Sequence, residues 1–553
     1  DDFLTKTPQA ELDLNVLGTE DGINLMLIGA YANLDGYTGP EWATFGIPGD
    51  SWYGATSNWQ YGDVPSDDAY KGTEQGDQAP LEEIEAFTHT ATNPYFAGKW
   101  RVTYDGIARA NDVIKLVNNT EGLDGEFVRQ IIAEARFLRG FYHFEAKKIF
   151  NNIPYLDDTA EETRVPNTTD TWPQIEADLQ AAVDVLPNTQ PEPGRATKWS
   201  AMAFLAKAHM FQQDYAAALP LLTDIINNGG FQLTANYHEN FNGEFNNNSE
   251  TVFALQKAVN DGTEGFNGGY GDALSGLQNG PGGCCGFHQP SQNLVNAYRT
   301  DDNGLPFLDS FNDENVTSDE GVGAEDPFTP YAGNIDPRLD WTVGRRGIPY
   351  LDWGVHPGAP WIRQQSYGGP FSPKKNMFYE AQVGNISTSS GWAQMPNSIN
   401  YNFVRYADVL LMAAECEVEA GSLENARGYV NQVRVRARDG GMVMNEDGTG
   451  PAANYVIDEY TEGWTSQSIA RSAVRFERRL ELGMEGHRFF DLVRWGVAAD
   501  VINAFFESEK GTRTYLANAS FTAGKNEYYP IPLEEINLSS LDGTPTLTQN
   551  PGY

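Results

Sequence analysis

Apolar residues recur at helical spacing in several separated stretches of the chain. Between Trp100 and Val117 one stripe carries Trp100, Tyr104, Ile107, Ala108, Asn111 and Ile114. From Phe127 to Phe150 the pattern continues through Ile131, Ala135, Leu138, Tyr142 and Ala146. Trp172 to Leu186 predicts a third helix, closed by Pro187. Ser200 to Phe211 predicts a fourth, and after an Asp214-Tyr215 turn Leu219, Leu222, Ile225 and Ile226 predict a fifth. The closely spaced alanines of these two segments let helices approach, as in a tetratricopeptide repeat of about 34 residues. A second such pair runs from Arg405-Tyr406-Ala407-Asp408 through Gly421-Ser422 to Val430, Val433 and Arg436. A third lies in 467–505, where Phe476, Leu480 and Met484 share one face. The pairs do not adjoin in sequence, so the pattern predicts one helical-pair scaffold, residues 100–230 and 400–510, interrupted by a large insertion.

The insertion, residues 231–399, is punctuated by Asn242-Gly243, Pro281-Gly282-Gly283, Pro357-Gly358 and Gly368-Gly369-Pro370, with short β-like runs such as Thr251 to Leu255. It is rich in rings, among them Trp341, Tyr350, Trp353, Trp361, Tyr367, Phe378, Tyr379 and Trp392. A second loop-rich stretch, 35–99, carries Trp42, Phe45, Trp52, Tyr53, Trp59, Tyr61 and Tyr70. Loops this long in a compact protein usually carry function. The fold class expected is mainly α, one domain over 1–553, with a loop-rich insertion containing short strands.

Composition sharpens this. The 553 residues include 12 Trp, 26 Tyr and 29 Phe, enough rings both to fill a core and to furnish a surface. With 76 acidic against 37 basic side chains the net charge is −39, which repels nucleic acid and anionic bilayers and disfavours polyanionic ligands. It also suits a saline environment. No run of 18 apolar residues occurs, because Glu415 and Glu417 break the best candidate after Ala414.

Signals for catalysis are weak. The seven His are scattered with no His-Glu-x-x-His spacing, and neither a nucleophile elbow nor a Walker-type loop is present. Asp67-Asp68 is the most tempting carboxylate pair, and it also reads as a structural turn after Pro65-Ser66. Among three cysteines, Cys416 lies on an apolar helix face as a buried thiol, while Cys284-Cys285 sit between glycines as either a vicinal disulfide or two thiols in a turn. Neither a metal nor a cofactor is expected.

Binding is better supported. Sugars offer flat C–H faces to Trp and Tyr, with polar side chains around the rim. Trp100, Trp172, Trp199 and Trp495 stand at helical positions and are expected in the core, and Trp341 follows an Asp336-Pro337-Arg338-Leu339 turn. The remaining candidates for ligand contact are Asp50, Trp52, Trp59 and Tyr70 in the first loop region, and Trp353, Trp361, Arg363 and Tyr379 in the second. A Cys284-Cys285 ring would add a rigid flat platform.

The end of the chain carries a longer signature. Arg475-Phe476-Glu477-Arg478-Arg479-Leu480-Glu481-Leu482 leads into Glu485-Gly486-His487-Arg488-Phe489-Phe490-Asp491-Leu492-Val493-Arg494-Trp495-Gly496, then Tyr529-Pro530-Ile531-Pro532-Leu533, and finally Asn550-Pro551-Gly552-Tyr553. Such charge density can be buried only if it is paired. In order and spacing these segments, with Asp2-Phe3-Leu4 and Pro8 at the other end, resemble the SusD/RagB family of lipid-anchored outer-membrane proteins of Bacteroidota. The resemblance implies a helical-repeat scaffold whose two loop regions form a ligand face. It implies non-catalytic capture of an oligosaccharide or polysaccharide for a SusC-like TonB-dependent transporter, from an anchoring cysteine that would precede Asp1. The acidic charge points to a neutral glycan, a β-glucan such as laminarin or a fructan. Peptide capture is the alternative, and a glycoside hydrolase the remote one.

Overall fold

The computed structural model describes residues 17–36, 51–263, 265, 267–388 and 395–553. Asp2 to Pro8, Trp42, Phe45, Asp50 and Trp392 lie outside the described residues. The helices of the scaffold are α1 (Glu20–Ala32), α2 (Pro94–Asn118), α3 (Gly125–Phe150), α4 (Trp172–Val185), α5 (Lys198–Phe211), α6 (Tyr215–Asn228), α7 (Tyr406–Ala420), α8 (Leu423–Asp439) and α9 (Gln467–Leu482), with α10 (Arg488–Arg494) and α11 (Ala498–Glu509) closing the chain's helical part. Periodicity located these segments, and the caps set their ends. Asn93 accepts a hydrogen bond from Tyr95 N and Pro94 occupies the first turn, so α2 starts six residues before Trp100. Asp124 caps α3 and Thr197 caps α5. The segment 467–505 forms three helices rather than a pair.

Successive helices α2 to α6 pack pairwise, and α7 packs on α6, α8 and α9. The repeat stack is therefore continuous in space although 177 residues separate Asn228 from Tyr406. The reason is the pairing of the insertion's two ends. Strands β1 (Ala69–Gly72), β2 (Thr251–Leu255), β3 (Phe287–Pro290), β4 (Val343–Gly344), β5 (Ser372–Pro373) and β6 (Tyr401–Arg405) form three small antiparallel sheets. β2 pairs with β6 from Thr251 opposite Arg405 to Leu255 opposite Tyr401, which returns the chain to α7 close to where it left α6. β1 pairs with β3, with Ala69 opposite Pro290 and Gly72 opposite Phe287, and so joins the first loop region to the insertion.

Two large cores follow. One fills the scaffold with Phe137, Phe141, Phe204, Phe253 and Phe403 in edge-to-face contacts such as Phe141–Phe403 at 4.9 Å and Phe137–Phe253 at 4.9 Å. The other joins the first loop region to the C-terminus through Trp52, Trp59, Tyr61, Phe96, Phe489 and Tyr529. The tail is held there by Asn550, whose Nδ2 donates to Phe150 O and Tyr529 O at 2.7 Å each. Cys416, Trp100, Trp199 and Trp495 are buried as expected.

The charges from Glu477 to Glu485, along the end of α9 and the turn after it, are buried and ion-paired. Glu481 is fully buried and takes Arg405 (2.5 Å), Arg338 (2.9 Å) and Arg436. Glu477 pairs with Arg434 (2.8 Å) and Arg338 (2.7 Å), and Glu485 with Arg405 (2.8 Å) and Lys375 (2.7 Å). Arg478 bridges Asp408 and Asp491, and Arg479 binds Asp67 and Asp68 at 3.0 and 2.7 Å. Asp67-Asp68 is thus the structural turn, not a ligand contact. At Gly486 (φ +78) any side chain would strike the Ser57 carbonyl, so the positive φ and the close approach both require glycine.

Burial opposes ionisation of these carboxylates, but Arg479 and Arg488 still hold Asp67 down to about 2, and Arg478 and Arg494 do the same for Asp491. A depressed carboxyl contributes stability above its unfolded value and loses it as pH falls through its folded one. An acid titration followed by circular dichroism should therefore show unfolding setting in below about pH 4 and completing toward pH 2. Glu481→Gln should cost about 3–5 kcal/mol in chemical denaturation at pH 7, because three guanidinium groups lose a shared anion. A loss under about 1 kcal/mol would show that these charges find other partners.

Candidate functional site

Three loops from the two loop-rich regions meet at one place. The turn after β1 runs Thr73-Glu74-Gln75-Gly76-Asp77, the loop before β3 carries Gly280 to Gly286, and a third loop spans Ala359 to Tyr367. Thr73 N donates to Gly286 O at 2.5 Å, which continues the β1–β3 ladder past its last paired residue. A side chain at Gly280 would stand 2.8 Å from the Trp361 ring, so this loop lies directly against the indole. At Gly286 the space toward Arg363 Cβ is 3.7 Å. Residues about 80 positions apart in the sequence are thereby neighbours.

Cys284 and Cys285 are joined by a disulfide, which settles the alternative left open by the sequence. Cys285 is buried in the second core, Cys284 is partly exposed, and Gly283 is open to solvent. Leu277 N and Gly286 N donate to Pro281 O and Gly276 O at 2.8 Å each, closing the loop around Met395. Trp361 is half-buried. It stands edge-on to Tyr350 (5.7 Å) and His356 (5.1 Å) above a small cluster of Tyr350, Met377, Phe378 and Met395.

Arg363 is exposed beside it. Its Nη1 donates to Asp77 Oδ2 (2.7 Å) and Thr73 Oγ1 (3.2 Å), and its Nη2 to Glu74 Oε1 (2.5 Å). Beneath, Lys71 Nζ donates to the main-chain carbonyls of Asp77 (2.6 Å) and Glu74 (3.1 Å) and lies 4.8 Å over the Tyr367 ring. Tyr367 stacks on Tyr515 at 4.3 Å, and the two hydroxyls donate to Glu82 and Glu85. Sequence reading missed Glu74 and Asp77. The available signal was a charged turn, Lys71-Gly72-Thr73-Glu74-Gln75-Gly76-Asp77, bracketed by glycines at positive φ directly after a strand.

Trp353 packs against the same small cluster, edge-on to Phe378 at 6.2 Å, and Tyr379 follows Phe378 in the chain. Both are half-buried; Trp353 Nε1 donates to Phe378 O at 2.9 Å, and Tyr379 stands edge-on to His238 at 5.7 Å. The expectation for Trp52, Trp59 and Tyr70 needs correction. Trp52 and Trp59 are 6 % and 2 % exposed and Tyr70 is fully buried, so their rings belong to the second core and not to a ligand-facing surface. Trp59 Nε1 donates to Gly271 O and its ring packs on Phe287 at 6.3 Å, while the Tyr70 hydroxyl donates to Glu509 at 2.8 Å. Their polar loop neighbours suggested exposure, but β1, β3 and the C-terminal segment fold over them. Trp341 packs on His238 at 4.7 Å and donates to Gly441 O, in keeping with a structural turn. Among the described residues no three His, Cys, Asp or Glu side chains converge on a metal-sized site.

The structure is a helical-repeat scaffold that presents a loop-built surface of half-buried rings with a rim of charged groups. Residues 249–553 match the model of the SusD family, and residues 50–210 match a model described as starch-binding associating with outer membrane. The chain belongs to the SusD family. It is 28% identical over 457 residues to SusD-like protein P25 of Formosa agariphila, covering 80% of this chain and 76% of that one. Its fold is shared with a SusD superfamily protein from Bacteroides vulgatus (TM-score 0.70, 21% identity, 97% and 99% of the two chains). It is shared likewise with surface glycan-binding protein A from Bacteroides thetaiotaomicron, solved with laminarihexaose (TM-score 0.68, 21% identity, 96% and 99%).

The carboxyl groups under the site make a pH prediction. Glu85 is buried, and burial lifts it from 4.5 to about 8 although Tyr515 donates to it and Lys71 is near. A carboxyl raised on folding takes up a proton between those two values, so it lowers stability as pH rises from 4.5 to about 8. Glu85→Gln keeps the acceptor for Tyr515 without the charge. Its melting temperature should match wild type at pH 5 and exceed it by about 1–2 °C at pH 9. Equal melting at both pH values would show that Glu85 is ionised at no cost.

Proposed function

We propose that this protein captures a neutral oligosaccharide or polysaccharide at the cell surface without transforming it. The observation that carries this reading is the convergence of Trp361, the Cys284–Cys285 ring and Arg363 where the two loop regions meet. A half-buried indole offers one face to the C–H side of a pyranose, the disulfide ring offers a second small apolar face, and the rim supplies donors and acceptors for hydroxyls. Trp353 and Tyr379, with Asp352 close by, extend this surface along the same aromatic cluster and suit a ligand of several sugar units. Support comes also from the laminarihexaose bound by the fold relative and from the starch-binding description of the matched model. A β-glucan such as laminarin, or a fructan, fits the acidic surface better than a polyanion. In this reading an N-terminal lipid holds the protein at the outer membrane, and a SusC-like TonB-dependent transporter receives the ligand.

Affinity gel electrophoresis against laminarin, levan, xylan, mannan, starch, alginate and pectin tests the proposal. The wild type should be retarded by at least one neutral glycan, and Trp361→Ala should weaken that retardation roughly tenfold, as loss of one stacking ring of about 1–1.5 kcal/mol predicts. Trp353→Ala should weaken it less. No retardation by any neutral glycan, or full retardation of Trp361→Ala, would overturn it.

A further inference from the structure

The rim of the site contains a cation that is already paired. Arg363 stands two residues from Trp361, its side chain 30% exposed, with Glu74 (45%) and Asp77 (29%) against it. Its hydrogen bonds use both Nη1 hydrogens and one of the two on Nη2, leaving Nε–H and one Nη2–H for a ligand. Lys71, the other cation of this turn, is not open to a ligand. It is 0% exposed and its ammonium is taken by main-chain carbonyls. The acidic turn is also rigid. Gly72 and Thr73 hold positive φ, Thr73 Oγ1 donates to Asp77 Oδ2 at 3.1 Å, and Thr73 N is tied to the loop of the disulfide. Two carboxylates on one guanidinium leave the rim with a net charge of −1.

We propose that Glu74 and Asp77 determine ligand specificity at this subsite: they cap Arg363 so that it serves hydroxyl groups, and they reject sugars carrying carboxylate or sulfate. This rests on the reading of Trp361 and the disulfide loop as a glycan platform. The physical basis is simple. An uncapped guanidinium beside an aromatic platform is a ready bidentate site for a uronate carboxylate. With two carboxylates in place, a uronate would have to displace one of them and stand against the other. Neutral hydroxyls carry no such cost and can accept from Nε–H while donating to the outer lone pairs of Glu74 and Asp77.

The test is the double variant Glu74→Gln with Asp77→Asn, which keeps size and hydrogen bonding while freeing the cation. Both side chains are partly exposed, so the fold should persist, and far-ultraviolet circular dichroism checks this. Affinity electrophoresis uses laminarin or whichever neutral glycan retards the wild type, and polygalacturonate and alginate as anionic probes. The expected result is an anionic retardation roughly five- to tenfold above wild type at low salt, fading as salt is raised, whatever the change in neutral retardation. Adding Arg363→Gln to the double variant should remove that gain. The inference is overturned if the double variant gains no anionic binding, or if the gain survives loss of Arg363 and so reflects net charge alone. Failure of the underlying site reading looks different: the wild type then binds no neutral glycan, or binds one that Trp361→Ala leaves unaffected, whatever the charge variants do.

Discussion

The structure depends on the burial of ion pairs along one helix and the turn that follows it. Taking a charge out of water is costly, and attraction inside the protein offsets that cost only when every partner is in place with good geometry. From Glu477 to Glu485, α9 and its turn present five such charges, whose partners lie in several separate parts of the chain. Glu477 and Glu481 hold Arg338 in the insertion and Arg434, Arg405 and Arg436 at the repeats. Arg479 holds Asp67 and Asp68 in the first loop region, and Glu485 holds Lys375. A misplaced segment would leave an unpaired buried charge. The same pairs therefore dictate where long, irregular loops must lie, which apolar packing alone would specify poorly.

This arrangement explains how a loop-built surface can be precise. The turn at Thr73 to Asp77 follows β1, whose neighbour Asp68 is held by Arg479. The loop carrying Cys284 and Cys285 precedes β3, which pairs with β1. The strand ladder thus carries the position of the buried ion pairs out to the site over a few residues. Trp52, Trp59 and Tyr70 are buried in the second core, which also holds Cys285 and Phe287. Close packing makes such a core stiff.

Much of the scaffold was legible in the sequence because a helix repeats its environment every 3.6 residues. The positions of α2 to α8 and the interruption by an insertion could be read from spacing, and the structural character of the C-terminal charges from their density. The division of 467–505 into three helices could not, since Gly486 acts through its close approach to Ser57 and Gly496 through a positive φ. At the proposed site, Trp361, Arg363 and the cysteine pair were recognisable as rings and polar groups in glycine-rich loops. Trp52, Trp59 and Tyr70 carried the same local signal and proved to be buried. Glu74 and Asp77 carried almost none, because an acidic turn in a chain of charge −39 is unremarkable until its partner is known.

By itself the sequence determined what repeats locally or must be satisfied chemically: the helices, the length of the loops between them, and the need of a dense run of buried charges for partners. Tertiary structure alone decided which loop rings face solvent and which groups meet around Arg363. The physical reason is range. Helical periodicity is fixed by hydrogen bonds four residues apart, whereas the exposure of a loop side chain depends on segments hundreds of residues away. Trp59 is covered by a strand more than 200 positions on, and Arg363 is capped by a turn nearly 290 positions back.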